Sequence, residues 1–315
     1  ARAVPQAVIV PFRTRSRAHA ARWLRAGRFV SLQPLQHEYE AADGRDVQGG
    51  RGPGKRTGKG TGDSRKRIAD GAVYAARNGL TIRSADGSFT VRPQAAADAR
   101  DLPRPDLIVL AVKAYDLDDV LNQIEPVLTD QTVILTLQNG IDTEDRLLAR
   151  LQRDCVVGGV AYVYSKIAEP GVIDHYKKGA VAIGEFMGYE SDRLLKIRDV
   201  FASATIPCHL SKDIRRSKWE KMCWNCVFNP ITVLIDDHVA RALDHPEMTG
   251  VIRQIVGEVA AISAAMKVPL PLDMPERVVK ATQEIRDIHT SMYDDWKAGR
   301  RTEIDYLNGF IVQKG

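Results

Sequence analysis

From residue 79 to residue 210 the chain alternates short, continuous apolar runs with stretches of 3.6-residue period, and after Ser211 it is helical in pattern throughout. Asp106–Val112 (DLIVLAV) and Thr132–Leu137 (TVILTL) are uninterrupted apolar runs, the pattern of strands buried on both faces of a parallel sheet. Asp116–Ile124, ended by Pro126, and Glu144–Leu151 read as helices, and Cys155–Tyr164 reads as the next strand. Strand, helix, strand, helix, strand predicts a parallel sheet joined by right-handed crossovers. Leu80–Arg83 and Phe89–Pro93 read as two strands about the turn Asp86-Gly87, and Val172–Tyr176 with Ala180–Glu185 as an added hairpin. Asp192–Ala204 reads as a helix and Pro207–Leu210 as a closing strand. Asp213–Phe228, His245–Met266, Pro275–Ile288 and Thr302–Gln313 carry helical apolar spacing. The boundary falls near Leu210–Lys212. The expected fold is an α/β, Rossmann-like N-terminal domain over residues 1–211, followed by an all-helical domain over residues 212–315.

The 315 residues, 44% of them hydrophobic, suffice for two domains with their own cores. No apolar run approaches a membrane span. Four scattered cysteines (155, 208, 223 and 226) fit a reduced, cytoplasmic setting better than a disulfide scaffold. Charge is unevenly spread. Residues 1–78 hold 16 Lys and Arg against 6 Asp and Glu, and the remainder 29 against 34. The basic balance therefore belongs to the first quarter. Its arginines lack aromatic interleaving or a recognisable module, which argues against a nucleic-acid partner. The seven histidines show no ligand spacing, and the pair Cys223 and Cys226 has no second pair, so no metal is expected.

One segment carries chemistry. Lys221, Asn225 and Asn229 recur every four residues among Met222, Cys223, Trp224, Cys226, Val227 and Phe228. On a helix they stack on one face. A polar stripe on an apolar helix must be solvated, paired or turned toward a ligand. A lysine held among apolar neighbours has its pKa lowered, which suits it to acid–base work. Pro230 follows at once and is expected to close the helix.

Four motifs in order complete the pattern: Val112-Lys113-Ala114-Tyr115, Leu137-Gln138-Asn139-Gly140, Lys221 with Asn225, Asn229 and Pro230, and residues 302–309 (TEIDYLNG). Together, from about Asn78 to Gly315, they resemble the ketopantoate reductases (2-dehydropantoate 2-reductases). The resemblance implies reduction of ketopantoate to pantoate with NADPH, on the route to pantothenate and coenzyme A. It makes Lys221 the catalytic acid and Glu303 the carboxylate that binds the substrate hydroxyl. Asn225, Asn229 and Ser291 take substrate-binding positions, and Lys113 and Asn139 cofactor-side positions. The implied partner is a small 2-keto acid, with a homodimer open as the assembly. The expected geometry sets the Lys221 ammonium against the Glu303 carboxylate across a ligand-sized gap.

The chain departs from that family at its start. Residues 6–10 (QAVIV) would be the first strand and Arg22–Gly27 the end of the first helix, at the right distance for a Gly-x-Gly-x-x-Gly turn. The three glycine slots hold Pro11, Arg13 and Ser16 instead. Residues 28–77 follow, basic and with seven glycines from Gly49 through Gly62, and read as a disordered insertion. The abrupt change at Asn78 reads as a replaced start, and the helical domain, which stops in mid-pattern at Gly315, as shortened. Two alternatives stay open: an inactive relative lacking the glycine-rich cofactor loop, and a reductase of another small 2-keto acid.

Overall fold

The computed structural model describes residues 8–10, 74–75, 77–85, 87–188 and 191–315. The glycine slots at Pro11, Arg13 and Ser16, the first helix, and residues 28–73 of the insertion lie outside the described residues.

An eight-stranded sheet organises the N-terminal part: β1 (Val8–Val10), β2 (Leu80–Ser84), β3 (Phe89–Val91), β4 (Leu107–Leu110), β5 (Val133–Thr136), β6 (Val156–Glu169), β7 (Val172–Glu185) and β8 (Cys208–Leu210). Their order is β1-β4-β5-β6-β7-β2-β3, with β8 beside β7. β4, β5 and β6 are parallel, Leu107 facing Val133 and Ile134 facing Val156. The apolar runs are continuous because both faces are covered. Ile108, Leu110 and Ile134 pack on one face under α1 (Leu117–Ile124) and α2 (Thr143–Leu151). Leu107, Leu135 and Val157 pack on the other with Leu194 and Ile197 of α3 (Asp192–Ser203).

Two features depart from the sequence expectation. β1 pairs with β4 antiparallel, Val8 opposite Val109, so the sheet is mixed and not parallel at that edge. The expected short hairpin is one long one: β6 and β7, 14 residues each, pair antiparallel along their length. The ladder absorbs the polar middle of β7 through bulges between Tyr162 and Ser165.

After Leu210 the chain is helical. α4 (Ile214–Ile235) is the axis of this part, with α5 (Val239–Asp244), α6 (Met248–Ala265), α7 (Met274–Gln283), α8 (Ser291–Lys297) and α9 (Asn308–Lys314) around it. Trp219, Met222, Cys226 and Phe228 of α4 share a core with Ile252, Val256 and Val259 of α6. α4 begins at Asp213, whose side chain accepts the Arg216 N–H at 3.0 Å.

Pro230 does not close α4; the helix runs through it to Ile235. Proline removes the N–H that would bond the carbonyl four residues back, here Cys226. The Asn308 side chain fills that gap, donating from Nδ2 to the Cys226 oxygen at 2.9 Å. Asn308→Leu should therefore cost about 1–3 kcal/mol of stability by orphaning that carbonyl. Adding Pro230→Ala should recover most of the loss, because an alanine in place of the proline brings its own N–H. Urea unfolding of the single and double variants would show it; equal losses in both would refute the assignment.

The expected helix over Thr302–Gln313 is also shorter. Residues 303–307 form a turn, with the Tyr306 and Leu307 N–H groups both on the Glu303 carbonyl at 3.0 Å, and α9 starts at Asn308.

Candidate active site

The two parts meet at the C-terminal ends of β4 and β5, where residues 138–140 after β5 face α4 and residues 113–114 after β4 bond Asp295 and Glu303, the edge at which open α/β sheets take ligands. β5 ends at Thr136, and the Leu137 N–H still bonds the Leu110 carbonyl at 2.7 Å. The chain then turns at Gly140, whose φ of +101° a side chain would strain. Gly159 of β6 lies so near that a Cβ there would come within 2.5 Å of the Thr136 carbonyl. This close approach lets α4 line a cleft with Gln138, Asn139, Gly140, Gly159, Val160, Lys218, Lys221, Met222 and Asn225.

Lys221 reaches across the cleft to β6. Its Nζ donates to the Ala161 carbonyl at 2.7 Å and lies 5.9 Å from the Tyr162 ring centroid. Burial is the main force lowering its pKa, and the Lys218 ammonium adds to it. The Glu303 carboxylate pulls the other way, and the net result is about 8. An amine of that acidity can give up a proton near neutral pH.

Lys218 stands one helical turn before Lys221. It is 5% exposed, and it donates to Oε1 of Glu144, which is 0% exposed and opens α2. The Thr136 hydroxyl donates to the same oxygen. The cleft wall thus holds a buried ion pair beside Lys221. Sequence reasoning assigned this pair no role. The available signal was a second lysine three residues before Lys221, on the same face of an apolar helix.

Glu303 does not face Lys221 across a ligand-sized space. Its Oε1 accepts the Ala114 N–H at 2.8 Å, and its Oε2 lies 3.5 Å from the Lys113 Nζ. Lys113 also pairs with Asp295 at 2.6 Å, and Asp295 is held in turn by Arg300 at 2.9 Å. Burial alone would lower the Lys113 pKa, but the Glu303 and Asp295 carboxylates outweigh it and hold it above its ordinary value. These bonds tie the β4 end to the helical part. The cleft itself encloses about 10 Å³, room for about one water.

Of the sequence-predicted residues, the structure brings Lys221, Asn225 and Asn139 to one cleft. Lys113 and Glu303 meet each other beside it. Asn229 is buried on α4, and Ser291 opens α8 with an exposed side chain; neither lines the cleft. Cys223 and Cys226 are buried thiols, and burial pushes both up to about 12, so neither offers a thiolate. Among the described residues no cluster of three or more metal-ligating side chains forms, and no helix is long and apolar enough to cross a membrane.

The chain is similar to known proteins in sequence and fold. Residues 68–188 match the family described as Ketopantoate reductase PanE/ApbA, and residues 213–315 match its C-terminal counterpart. The first match starts ten residues before Asn78, where the sequence patterns begin. The 2-dehydropantoate 2-reductase of Mesorhizobium japonicum is 30% identical over 271 residues, covering 79% of this chain and 82% of that protein. The crystal structure of the Geobacter metallireducens 2-dehydropantoate 2-reductase superposes with a TM-score of 0.72 at 27% identity, covering 76% of this chain and 80% of that one. A D-mandelate dehydrogenase with NADH and anilino(oxo)acetate superposes with a TM-score of 0.71 at 25% identity, covering 78% and 81%.

Proposed function

Because the chain belongs to the ketopantoate reductase family, whose members are oxidoreductases, we propose that it reduces ketopantoate to pantoate with NADPH, with Lys221 as the general acid. The observation that carries this reading is a half-buried lysine of lowered pKa beside Asn225, in a cleft at the strand ends. NADPH supplies the hydride when bound. Gln138, whose buried side-chain polar atoms have no partner among the described residues, and Asn139 border the cleft beside Lys221 and would hold the nicotinamide end. Residues 11–16 lie outside the described residues.

Reduction of a ketone leaves negative charge on its oxygen. The Lys221 ammonium can exchange its bond to the Ala161 carbonyl for that oxygen, stabilise the charge and pass over a proton. Asn225, one turn further along α4, can hold a polar substrate without adding charge. Glu303 can exchange its bond to the Ala114 N–H for one from the substrate hydroxyl. Lys113 then stays paired with Asp295.

NADPH oxidation followed at 340 nm with ketopantoate tests the reading; no turnover by the full chain would sink it. Running the same assay with NADH decides the cofactor. A second reading, a reductase of another small 2-keto acid, is favoured by the likeness to D-mandelate dehydrogenase. It would show as turnover of an aromatic 2-keto acid in place of ketopantoate. Glu303→Ala should raise KM for the keto acid about 10- to 100-fold, the worth of a hydrogen bond to a charged group. An unaltered KM would remove Glu303 from the substrate's surroundings.

A further inference from the structure

We propose that Gln138 is a ligand-binding residue of the cleft, its carboxamide pairing with a ligand group that presents a hydrogen-bond donor and an acceptor side by side. Gln138 is 5% exposed, and both Nε2 and Oε1 are buried with no hydrogen-bond partner among the described residues. Buried polar atoms almost always have partners, so an amide orphaned at both ends calls for an explanation. Nothing in the local backbone forces it there by accident. The preceding residue is pinned to β4 by the bond from Leu137 to Leu110, and Gly140 turns the chain away two residues later. The side chain lines the cleft together with Lys218 and Lys221. Those two ammonium groups already have acceptors, Glu144 and the Ala161 carbonyl. The Gln138 amide has none.

The two orphaned atoms define the ligand chemistry. A carboxylate offers acceptors alone and would leave Oε1 unpaired. A primary carboxamide, or a hydroxyl beside a carbonyl oxygen, satisfies both atoms at once. Within the reductase reading, on which the ligand's identity rests, that group is either the carboxamide of the nicotinamide or, where Glu303 does not take the hydroxyl proton, the hydroxyl-bearing end of the keto acid. The residue's role follows from burial and geometry and does not depend on which of the two it is.

Gln138→Leu in the full chain, of similar size and without polar atoms, tests this with two kinds of readout. The first needs no ligand. Removing an unpaired buried amide should leave the thermal midpoint of the free protein unchanged or raised. A fall of several degrees would make Gln138 a structural residue and overturn the proposal, whatever the enzyme does. The second is binding. If the nicotinamide is the partner, the variant's Kd for NADPH, read from nicotinamide fluorescence without substrate, rises about five- to tenfold. The 3-acetylpyridine analogue, which lacks the amide donor, then loses less than NADPH does. If the keto acid is the partner, Kd for NADPH holds and KM for ketopantoate rises by that factor. Unchanged Kd and unchanged KM would overturn the proposal. Absence of turnover in the wild-type chain would instead sink the reductase reading and leave the thermal result to judge Gln138.

Discussion

Lys221→Ala should lower kcat for keto-acid reduction by about 10²- to 10⁴-fold, the usual worth of a positioned proton donor. The Kd for NADPH should stay within about twofold, an expectation that rests on Lys221 acting on the ketone oxygen alone. The side chain is built for that task. Its ammonium is desolvated, tethered to an uncharged acceptor, the Ala161 carbonyl, and set beside the Lys218 ammonium. A carboxylate partner in place of that carbonyl would hold the proton too firmly. The pH dependence follows from the sign of the shift. The pKa is lowered from 10.5 to about 8, and the acid must be protonated to act. Reduction should therefore run at full rate below pH 8 and fall as pH rises through about 8. Lys221→Arg keeps a cation whose pKa exceeds 12, so it should abolish this alkaline limb while retaining part of the rate. Steady-state kinetics between pH 6 and 10 would decide it. An unchanged rate in the alanine variant, or an alkaline limb that survives in the arginine variant, would exclude Lys221 as the acid.

What the sequence made legible, and what it hid, divides by range. β4 and β5 stand out because burial on both faces leaves no polar position in Ile108–Leu110 or Val133–Leu135. The Lys221, Asn225 and Asn229 face is likewise a local pattern, and α4 carries it as expected. The misses around the site are long-range. Pro230 ends helices by a sound local rule, and the rule fails here because the missing donor comes from Asn308, 82 residues away. Glu303 was set opposite Lys221 by its motif. Its bonds instead go to the segment after β4, 189 residues back, and no periodicity encodes that distance. Lys218 looks like an ordinary lysine until Glu144, 74 residues earlier, is folded against it. The local signals thus located the face that carries Lys221, and the third dimension supplied the charges around it.

That surrounding charge gives the largest stability effect expected of the chain. Lys218→Met leaves the Glu144 carboxylate fully buried, with the Thr136 hydroxyl as its remaining partner and Oε2 still unpaired. Breaking a buried ion pair from one side costs about 3–5 kcal/mol, because the surviving charge keeps its desolvation penalty without compensation. Glu144→Leu should cost a similar amount by stranding the Lys218 ammonium. The double variant Lys218→Met with Glu144→Leu strands neither charge. Well-packed apolar replacements of a buried pair are often neutral, so it should recover most of the loss. Chemical unfolding of the three variants measures this directly, and a double variant no more stable than the singles would refute it. The same set probes the acid. Without the Lys218 ammonium one of the forces lowering the Lys221 pKa is gone. In Lys218→Met the alkaline limb of the reduction rate should therefore move to higher pH. A limb that stays in place would mean that the buried pair serves the fold and that burial alone sets the acidity of Lys221.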